Sequence, residues 1–396
     1  MNQFEMKHKN RLITITCLVC FITLATIAFD RFDRFDRLIS RWQRQAIQVT
    51  QSRWQRKALE MTPAVIKRRM IELNFSYQKD DLLDILEVPI KKMGPEVPQI
   101  ILQNPSLCST TSSKLNFVIY VHSFIHNWNR RQALRRTYAN PKLFKNVRFQ
   151  VIFFLGLSKV IGVQEAIKKE FDEYGDIVQG DFIDAYRNMT LKAIFALSWL
   201  SNHCSEADYA LKIDDDTFLN LFEMISVMQK NLDGRLVVIC PLWLNQSMPV
   251  LRDRKECMKW CVSFRQFRAS AFPQFCSGLS YTLSGALVRR LVEAVERTPF
   301  FWIDDVYITG LLMKNVTDTE HVRFVSIVDK TELDVDVGLS ILANTSLPLK
   351  TYLFHTDSVD MLVDMWQLLL KRLTKEQWKM IHVSAAAAVH DAKYFL

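Results

Sequence analysis

Three short apolar runs, separated by stretches of helical spacing, limit what this chain can fold into more than any other feature. They are "LNFVIYVHS" (115–123), "VRFQVIFFLGLS" (147–158) and "ADYALKI" (207–213). Runs of this length that are apolar at nearly every position read as strands covered on both faces. Between them, "NRRQALRRTY" (129–138) and "LKAIFALSWLSNH" (191–203) carry helical patterns. Strands that alternate with helices predict an α/β layer architecture with a mainly parallel sheet. Ligand sites in such sheets lie beyond the carboxyl ends of the strands.

The third run ends on three acids, Asp214, Asp215 and Asp216, after which Phe218, Leu219, Leu221 and Phe222 resume the apolar pattern. A charge taken out of water at the end of a buried strand costs several kcal/mol or more unless it is paired, and a divalent cation would pair it. A surface turn or a helix N-terminus would also hold aspartates. Two other Asp-rich patterns fit less well. A dehalogenase-type phosphatase wants Thr or Val where Phe218 stands, and a calcium-binding loop of the EF-hand type wants a glycine at its sixth position.

The chain's 396 residues carry a formal charge of +9, much of it within the first seventy residues. That placement points to membrane-proximal charge, and no interleave of basic and aromatic residues in the main body points to nucleic acid. The segment 12–29, "LITITCLVCFITLATIAF", is uncharged and about as long as the shortest spanning helix. A cleaved signal peptide is the competing reading, but the apolar run is long for one. The flanking arginines leave orientation open, because long C-terminal domains translocate regardless of such counts. Acceptor sequons at Asn74, Asn188, Asn245, Asn315 and Asn344 favour a lumenal body. So do six cysteines beyond the span (Cys108, Cys204, Cys240, Cys257, Cys261 and Cys276), which allow 15 connectivities of three disulfides. Residues 30–111 read as a stem, with the repeat "DRFDRFDRL", two copies of "RWQR", and a linker broken by Pro89, Gly94, Pro95, Pro98 and Pro105. The expected order is a cytoplasmic tail (1–11), a signal anchor (12–29), the stem, and a lumenal body (112–396). The stem is either a spacer or the element of a homodimer.

Six segments then fall in a recognisable order: "RRQALRRTYAN", "FFLGLS", "YGDIVQGDFIDAYRNMTLKAIFALSWLSNHC", "ALKIDDDTFLN", "FCSGLSYTLSG" and "FWIDDVYITGLLMK". Together, over roughly Leu115 to Lys371, they resemble the beta-1,3-galactosyltransferase and beta-1,3-N-acetylglucosaminyltransferase family, which includes fringe-like enzymes. The resemblance implies a GT-A glycosyltransferase fold, a type II protein of the Golgi membrane, a UDP-sugar donor, Mn²⁺ (or Mg²⁺), and a glycan acceptor on glycoprotein or glycolipid. It also implies inverting transfer in beta-1,3 linkage.

The same resemblance implies roles for individual positions. Asp214, Asp215 and Asp216 match the family's DxD motif, with Asp216 as metal ligand and the other two toward the nucleotide. His355 in "TYLFHTDS" stands where a C-terminal histidine completes the metal site. Asp305 in "IDDVYITG" is the implied base, with Asp304 as helix cap. Arg131 and Arg135 are implied to grip the diphosphate, and Asp181, Asp184 and Lys192 to border the donor pocket. Tyr138 replaces the family's Trp and Leu279-Ser280 its paired glycines. The donor stays open between galactose and N-acetylglucosamine. A catalytically silent, lectin-like protein of the same fold is the alternative function.

Overall fold

The computed structural model describes residues 95–109, 116–253 and 260–382. The expected anchor at 12–29 and most of the stem lie outside the described residues. Within them, no helix is long and apolar enough to cross a membrane.

An eight-stranded mixed sheet forms the body. Its spatial order is β1 (Ile100–Leu102), β4 (Ile177–Ile183), β3 (Phe149–Leu157), β2 (Phe117–His122), β5 (Tyr209–Asp214), β10 (Ser280–Ser284), β7 (Leu236–Cys240) and β11 (Val322–Ser326). The central four strands, β4-β3-β2-β5, run parallel, whereas β10 lies antiparallel between β5 and β7. All three strands expected from the sequence form, and the parallel centre explains why they are apolar throughout. Every residue of β2 is buried, because both of its faces are covered.

The two faces sort the side chains by alternation. Val118 and Tyr120 of β2 join Phe154, Trp199, Leu200 and Leu287 on the side covered by α3 (Met189–His203) and α5 (Gly285–Val295). Phe117, Ile119 and Val121 join Leu134, Met224 and Trp366 on the other side. That side is covered by α1 (Trp128–Arg136), α4 (Leu221–Lys230) and α9 (Val359–Leu370). A further helix, α2 (Val163–Tyr174), links β3 to β4. The segment after Ile303 forms one helical rod: α6 (Asp304–Val306), a π-helical stretch (Tyr307–Leu312) and α7 (Met313–Thr317). Beyond it come α8 (Val335–Ala343), α9 and α10 (Lys375–Lys379).

A small second sheet brings the C-terminal part of the chain to the end of β5. In it β6 (Thr217–Leu219) pairs with β13 (Leu353–His355), which pairs in turn with β12 (Thr331–Glu332). His355 lies opposite Thr217 in that register. A two-stranded pair, β8 (Leu242–Trp243) with β9 (Phe275–Cys276), flanks the same end.

The stem boundary expected at residue 111 is too late. Ile100 and Leu102 pair onto β4 as an antiparallel edge strand, and Cys108 is disulfide-bonded to Cys204 after α3. Pro95 and Pro98, which mark a linker in sequence, here precede an edge strand and Pro105 follows it, where missing N–H donors cost little. A second disulfide joins Cys240 to Cys276.

The edge strand carries few partners besides β4, so the Cys108–Cys204 link closes a separation of 96 residues for it. A Cys108→Ala, Cys204→Ala double variant should lose about 2–5 kcal/mol of stability. In hydrogen exchange, the amides of 100–102 should open well before those of β2 and β5, and equal protection of all three strands would contradict this.

Candidate active site

The three acids straddle a strand end and a turn. Asp214 is the last residue of β5, and Asp215 and Asp216 make the two-residue turn into β6. The turn is not a free surface feature. Each acid faces a different set of partners.

Asp215 faces inward and is 6% exposed. Its Oδ2 accepts from Ser123 Oγ at 2.7 Å, from the Phe124 N–H at 3.2 Å and from Asn127 Nδ2 at 3.0 Å, while Oδ1 accepts from Asn127 at 3.2 Å. Burial pushes its carboxyl up, and the bonds from Ser123 and Asn127 oppose this. Both oxygens already have donors from the loop after β2. This corrects the expected nucleotide-binding role: Asp215 joins two strand ends.

Asp216 turns outward. Its Oδ2 lies 3.6 Å from His355 Nε2, and its carbonyl accepts from the Thr356 N–H at 2.8 Å and from Thr356 Oγ1 at 2.9 Å. Burial works to raise the carboxyl, but His355, Arg130 and Lys212 outweigh it and hold it below the usual range. His355 is raised in turn, chiefly by its bond to Asp216. Arg130 closes this corner by donating to the Asp215, Thr356 and Asp357 carbonyls.

Asp214 Oδ1 accepts from Lys212 Nζ at 2.7 Å, two residues back on the same face of β5. Lys212 is fully buried, and its Nζ also donates to the Gly278 carbonyl. Burial alone would pull the ammonium down, but Asp214 and Asp304 keep it charged. The Asp214 carboxyl is pushed up to about 7, mainly by burial, with Lys212 opposing.

Asp305 is reached through the same glycine. The Gly278 N–H donates to Asp305 Oδ2 at 3.0 Å, and the Val306 N–H donates to Oδ1 at 2.7 Å. A Cβ at Gly278 would stand 3.2 Å from that Oδ2, so only glycine fits without displacing the carboxylate. Thr309 Oγ1 donates to the Asp305 carbonyl at 2.6 Å and accepts from the Cys276 N–H at 2.9 Å, which pins the helical rod to β9. Burial first and the Asp304 charge second push Asp305 up to about 7.

Asp304 does not cap the helix. Ile303 holds the cap position, Asp304 is the first helical residue, and its side chain makes no cap bond. Its Oδ2 instead lies 4.0 Å from Nδ1 of His122, the last residue of β2. His122 is buried, its ring nitrogens have no hydrogen-bond partner among the described residues, and burial, with Lys212 and Lys192 nearby, keeps it neutral.

The expected diphosphate grip does not form. Arg131 is completely buried, and its donors go to Glu170 (2.9 and 2.7 Å), Ser123 Oγ (3.1 Å) and the Phe124 and Ile125 carbonyls (2.9 and 3.3 Å). Those five contacts use all five guanidinium N–H groups. Arg135 bonds Glu170 and, through two nitrogens, Asp176, and it lies over the Phe153 and Tyr174 rings. Both arginines therefore brace the sheet end from inside. Spacing along a helix face shows which side chains travel together, not whether that face meets solvent.

The donor-pocket group divides. Lys192 is buried and bonds Asp184 Oδ1 at 2.8 Å and the Ser123 carbonyl at 2.5 Å, and Asp184 Oδ2 accepts from the Gly156 N–H at 3.0 Å. The pair thus supports the loop that holds Asp215. Asp181 is exposed on β4, accepts from the Gln99 N–H at 2.6 Å, and stands three strands from β5, about 14 Å at ordinary strand spacing. Asp181 belongs to the β1 edge and not to the acidic cluster. Sequence reading missed Lys212, Ser123, Asn127, Arg130 and His122, and it had Gly278 only as part of the segment "FCSGLSYTLSG". Only Lys212 had a signal, its period-two spacing from Asp214.

No three His, Cys, Asp or Glu side chains gather as a metal cage among the described residues. Asp216 and His355 do face each other, and a carboxylate oxygen with an imidazole nitrogen suits Mn²⁺, with other positions left for ligand oxygens.

Residues 129–322 match the family model described as Galactosyltransferase. The chain is 26% identical over 257 residues to human lactosylceramide 1,3-N-acetyl-beta-D-glucosaminyltransferase, covering 62% of this chain and 66% of that protein. It is 28% identical over 199 residues to beta-1,3-galactosyltransferase 5 of Pan troglodytes, covering 50% and 65%. It is 26% identical over 228 residues to beta-1,3-galactosyltransferase 1 of Mus musculus, covering 57% and 68%. The chain thus spans about two thirds of the length of these relatives. Among solved structures, the apo WbbM bifunctional glycosyltransferase aligns at 11% identity over 67% of this chain and 52% of that one. Its TM-score of 0.35 is too low to carry any inference.

Glu170 neutralises two arginines, one of them fully buried. Glu170→Ala leaves Arg131 as an uncompensated buried charge, so urea unfolding should show a loss of about 3–5 kcal/mol. A loss under about 1 kcal/mol would mean that water reaches Arg131 in solution.

Proposed function

This chain carries a domain of the galactosyltransferase family, and from that premise we propose that it is a GT-A-type transferase moving a hexose from a UDP-sugar to a glycan hydroxyl in beta-1,3 linkage with inversion. One observation carries this reading. Gly278 presents its N–H to Asp305 and its carbonyl to Lys212, so a carboxylate poised near neutrality stands one residue from the acidic end of β5. The hexose is galactose or N-acetylglucosamine, in keeping with the two groups of named relatives.

In this reading Asp305 takes the proton of the acceptor hydroxyl as that oxygen attacks the anomeric carbon from the face opposite the nucleotide. The carbon–oxygen bond to the diphosphate breaks, and UDP leaves without needing a protonating acid. Asp216 and His355 would hold Mn²⁺ (or Mg²⁺), which when bound neutralises charge developing on the diphosphate. Asp304 and burial keep the base from ionising too early, while the Gly278 and Val306 N–H groups fix its orientation. Asp215, Ser123 and Arg131 hold the strand ends in register and touch no substrate. The uncharged segment 12–29 and the sequons support a type II placement in the Golgi membrane with the body in the lumen.

A purified soluble body with manganese, offered UDP-Gal, UDP-GlcNAc, UDP-GalNAc and UDP-Glc, tests the activity directly. Donor binding without turnover on any glycan acceptor would favour the lectin-like alternative. Because the base works only when ionised, turnover should rise with pH through about 7 and then level off. Asp305→Asn should remove that rise and lower kcat by about a hundred- to ten-thousand-fold with donor affinity kept. Asp304→Asn should keep turnover and shift the rise to lower pH, since the neighbouring charge is gone. A dead Asp304 variant beside an active Asp305 variant would move the base by one position.

The metal assignment has its own readout. Asp216→Ala should weaken manganese-dependent UDP binding while thermal unfolding stays close to the parent, because Asp216 lies outside the core. Unchanged UDP affinity in manganese would remove Asp216 from the site.

A further inference from the structure

The five sequons are alike in sequence and unlike in the fold. Asn315, in α7, donates from Nδ2 to Thr298 Oγ1 at 2.8 Å and to the Leu311 carbonyl at 3.2 Å. Both amide hydrogens are in use against the packed side of the helix. Asn188 donates from Nδ2 to the Ile183 carbonyl at 2.9 Å, which closes the turn between β4 and α3 beside the Asp184–Lys192 pair. A sugar on Asn315 would displace one of its two bonds, and a sugar on Asn188 would sit on the nitrogen whose remaining N–H closes the turn.

Asn245 and Asn344 differ on every count. Asn245 is exposed in the 244–247 turn, where the Ser247 N–H donates to the Leu244 carbonyl at 3.0 Å. Asn344 is exposed just past α8; its Oδ1 accepts from the Ser346 N–H at 3.0 Å, and it borders a groove of about 480 Å³ that also includes Leu347 and Arg372. In both, Nδ2 makes no hydrogen bond among the described residues, and the side chain has room outside the body. Asn74 lies outside the described residues.

We propose that Asn245 and Asn344 are the N-glycan sites of the folded body and that Asn188 and Asn315 stay bare. The inference rests on the lumenal placement of the body. The donor is a lipid-diphosphate-linked oligosaccharide: Nδ2 loses a proton and bonds the anomeric carbon, the carbon–oxygen bond to the diphosphate breaks, and the lipid diphosphate leaves.

The test is site-by-site occupancy of the full chain made in a secretory-pathway host and purified in detergent. Glycosidase release in heavy-oxygen water tags each formerly occupied Asn by mass. Asn245 and Asn344 should be tagged, and Asn188 and Asn315 should not. On gels, Asn344→Gln and Ser346→Ala should each remove the same single mobility step. Thr317→Ala, which deletes the Asn315 sequon and leaves its amide untouched, should remove none. Tagging of Asn188 or Asn315 overturns the proposal. So does a tag on Asn74 with Asn245 and Asn344 bare, an outcome that would keep the lumenal placement. A chain with no tag anywhere sinks both.

Discussion

Asp215 is the carboxylate on which the candidate site depends, although it faces away from it. Four polar contacts from Ser123, Phe124 and Asn127 converge on its two oxygens. Those contacts fix the end of β5 to the loop after β2. Ser123 is held in turn by Arg131 and Lys192, which are neutralised by Glu170 and Asp184. In a low-dielectric interior such a network is stable only when every member is satisfied. Its completeness leaves Asp214 and Asp216, on either side, to separate partners, Lys212 for the first and His355 for the second.

Two buried cations thus fill roles that exposed ones could not. Arg131 offers a rigid fork that meets Glu170 with two nitrogens and still reaches the carbonyls of 124 and 125. Lys212, on the opposite side of the acidic turn, keeps its charge because Asp214 and Asp304 surround it. One cation sets the backbone and the other sets the field. The distinction is invisible in composition, where both count only as basic residues.

The layered sheet was legible because burial on both faces leaves runs such as 117–122 with no polar alternation to confuse the period. The acids of β5 were legible because three charges at the end of such a run have few physical explanations. Partnership was not. Arg131 and Arg135 carry the right chemistry for an anion, and what binds them is Glu170 and Asp176, 39 and 41 residues away in the chain. The helix cap expected at Asp304 falls on Ile303 instead, because the acid turns toward His122. The edge strand at 100–102 was hidden by prolines that elsewhere signal a linker. Long-range pairing, not local propensity, decides each of these cases.

The rod from Asp304 to Thr317 is helical throughout but is wound more loosely over 307–312. A π-helical stretch holds extra chain relative to an α-helix of the same rise, so this element contains slack. Within it, Thr309 donates to the Asp305 carbonyl four residues back while receiving the Cys276 N–H. Removing one residue from 307–312 would let the stretch relax to regular α-helix and leave α7 nearly in place, because the loose winding absorbs the surplus residue. Removing Tyr307 or Ile308 would also shorten the four-residue step from Asp305 to Thr309 on which the brace to β9 depends. In this element, length is a functional quantity in its own right, as specific as any side chain it carries.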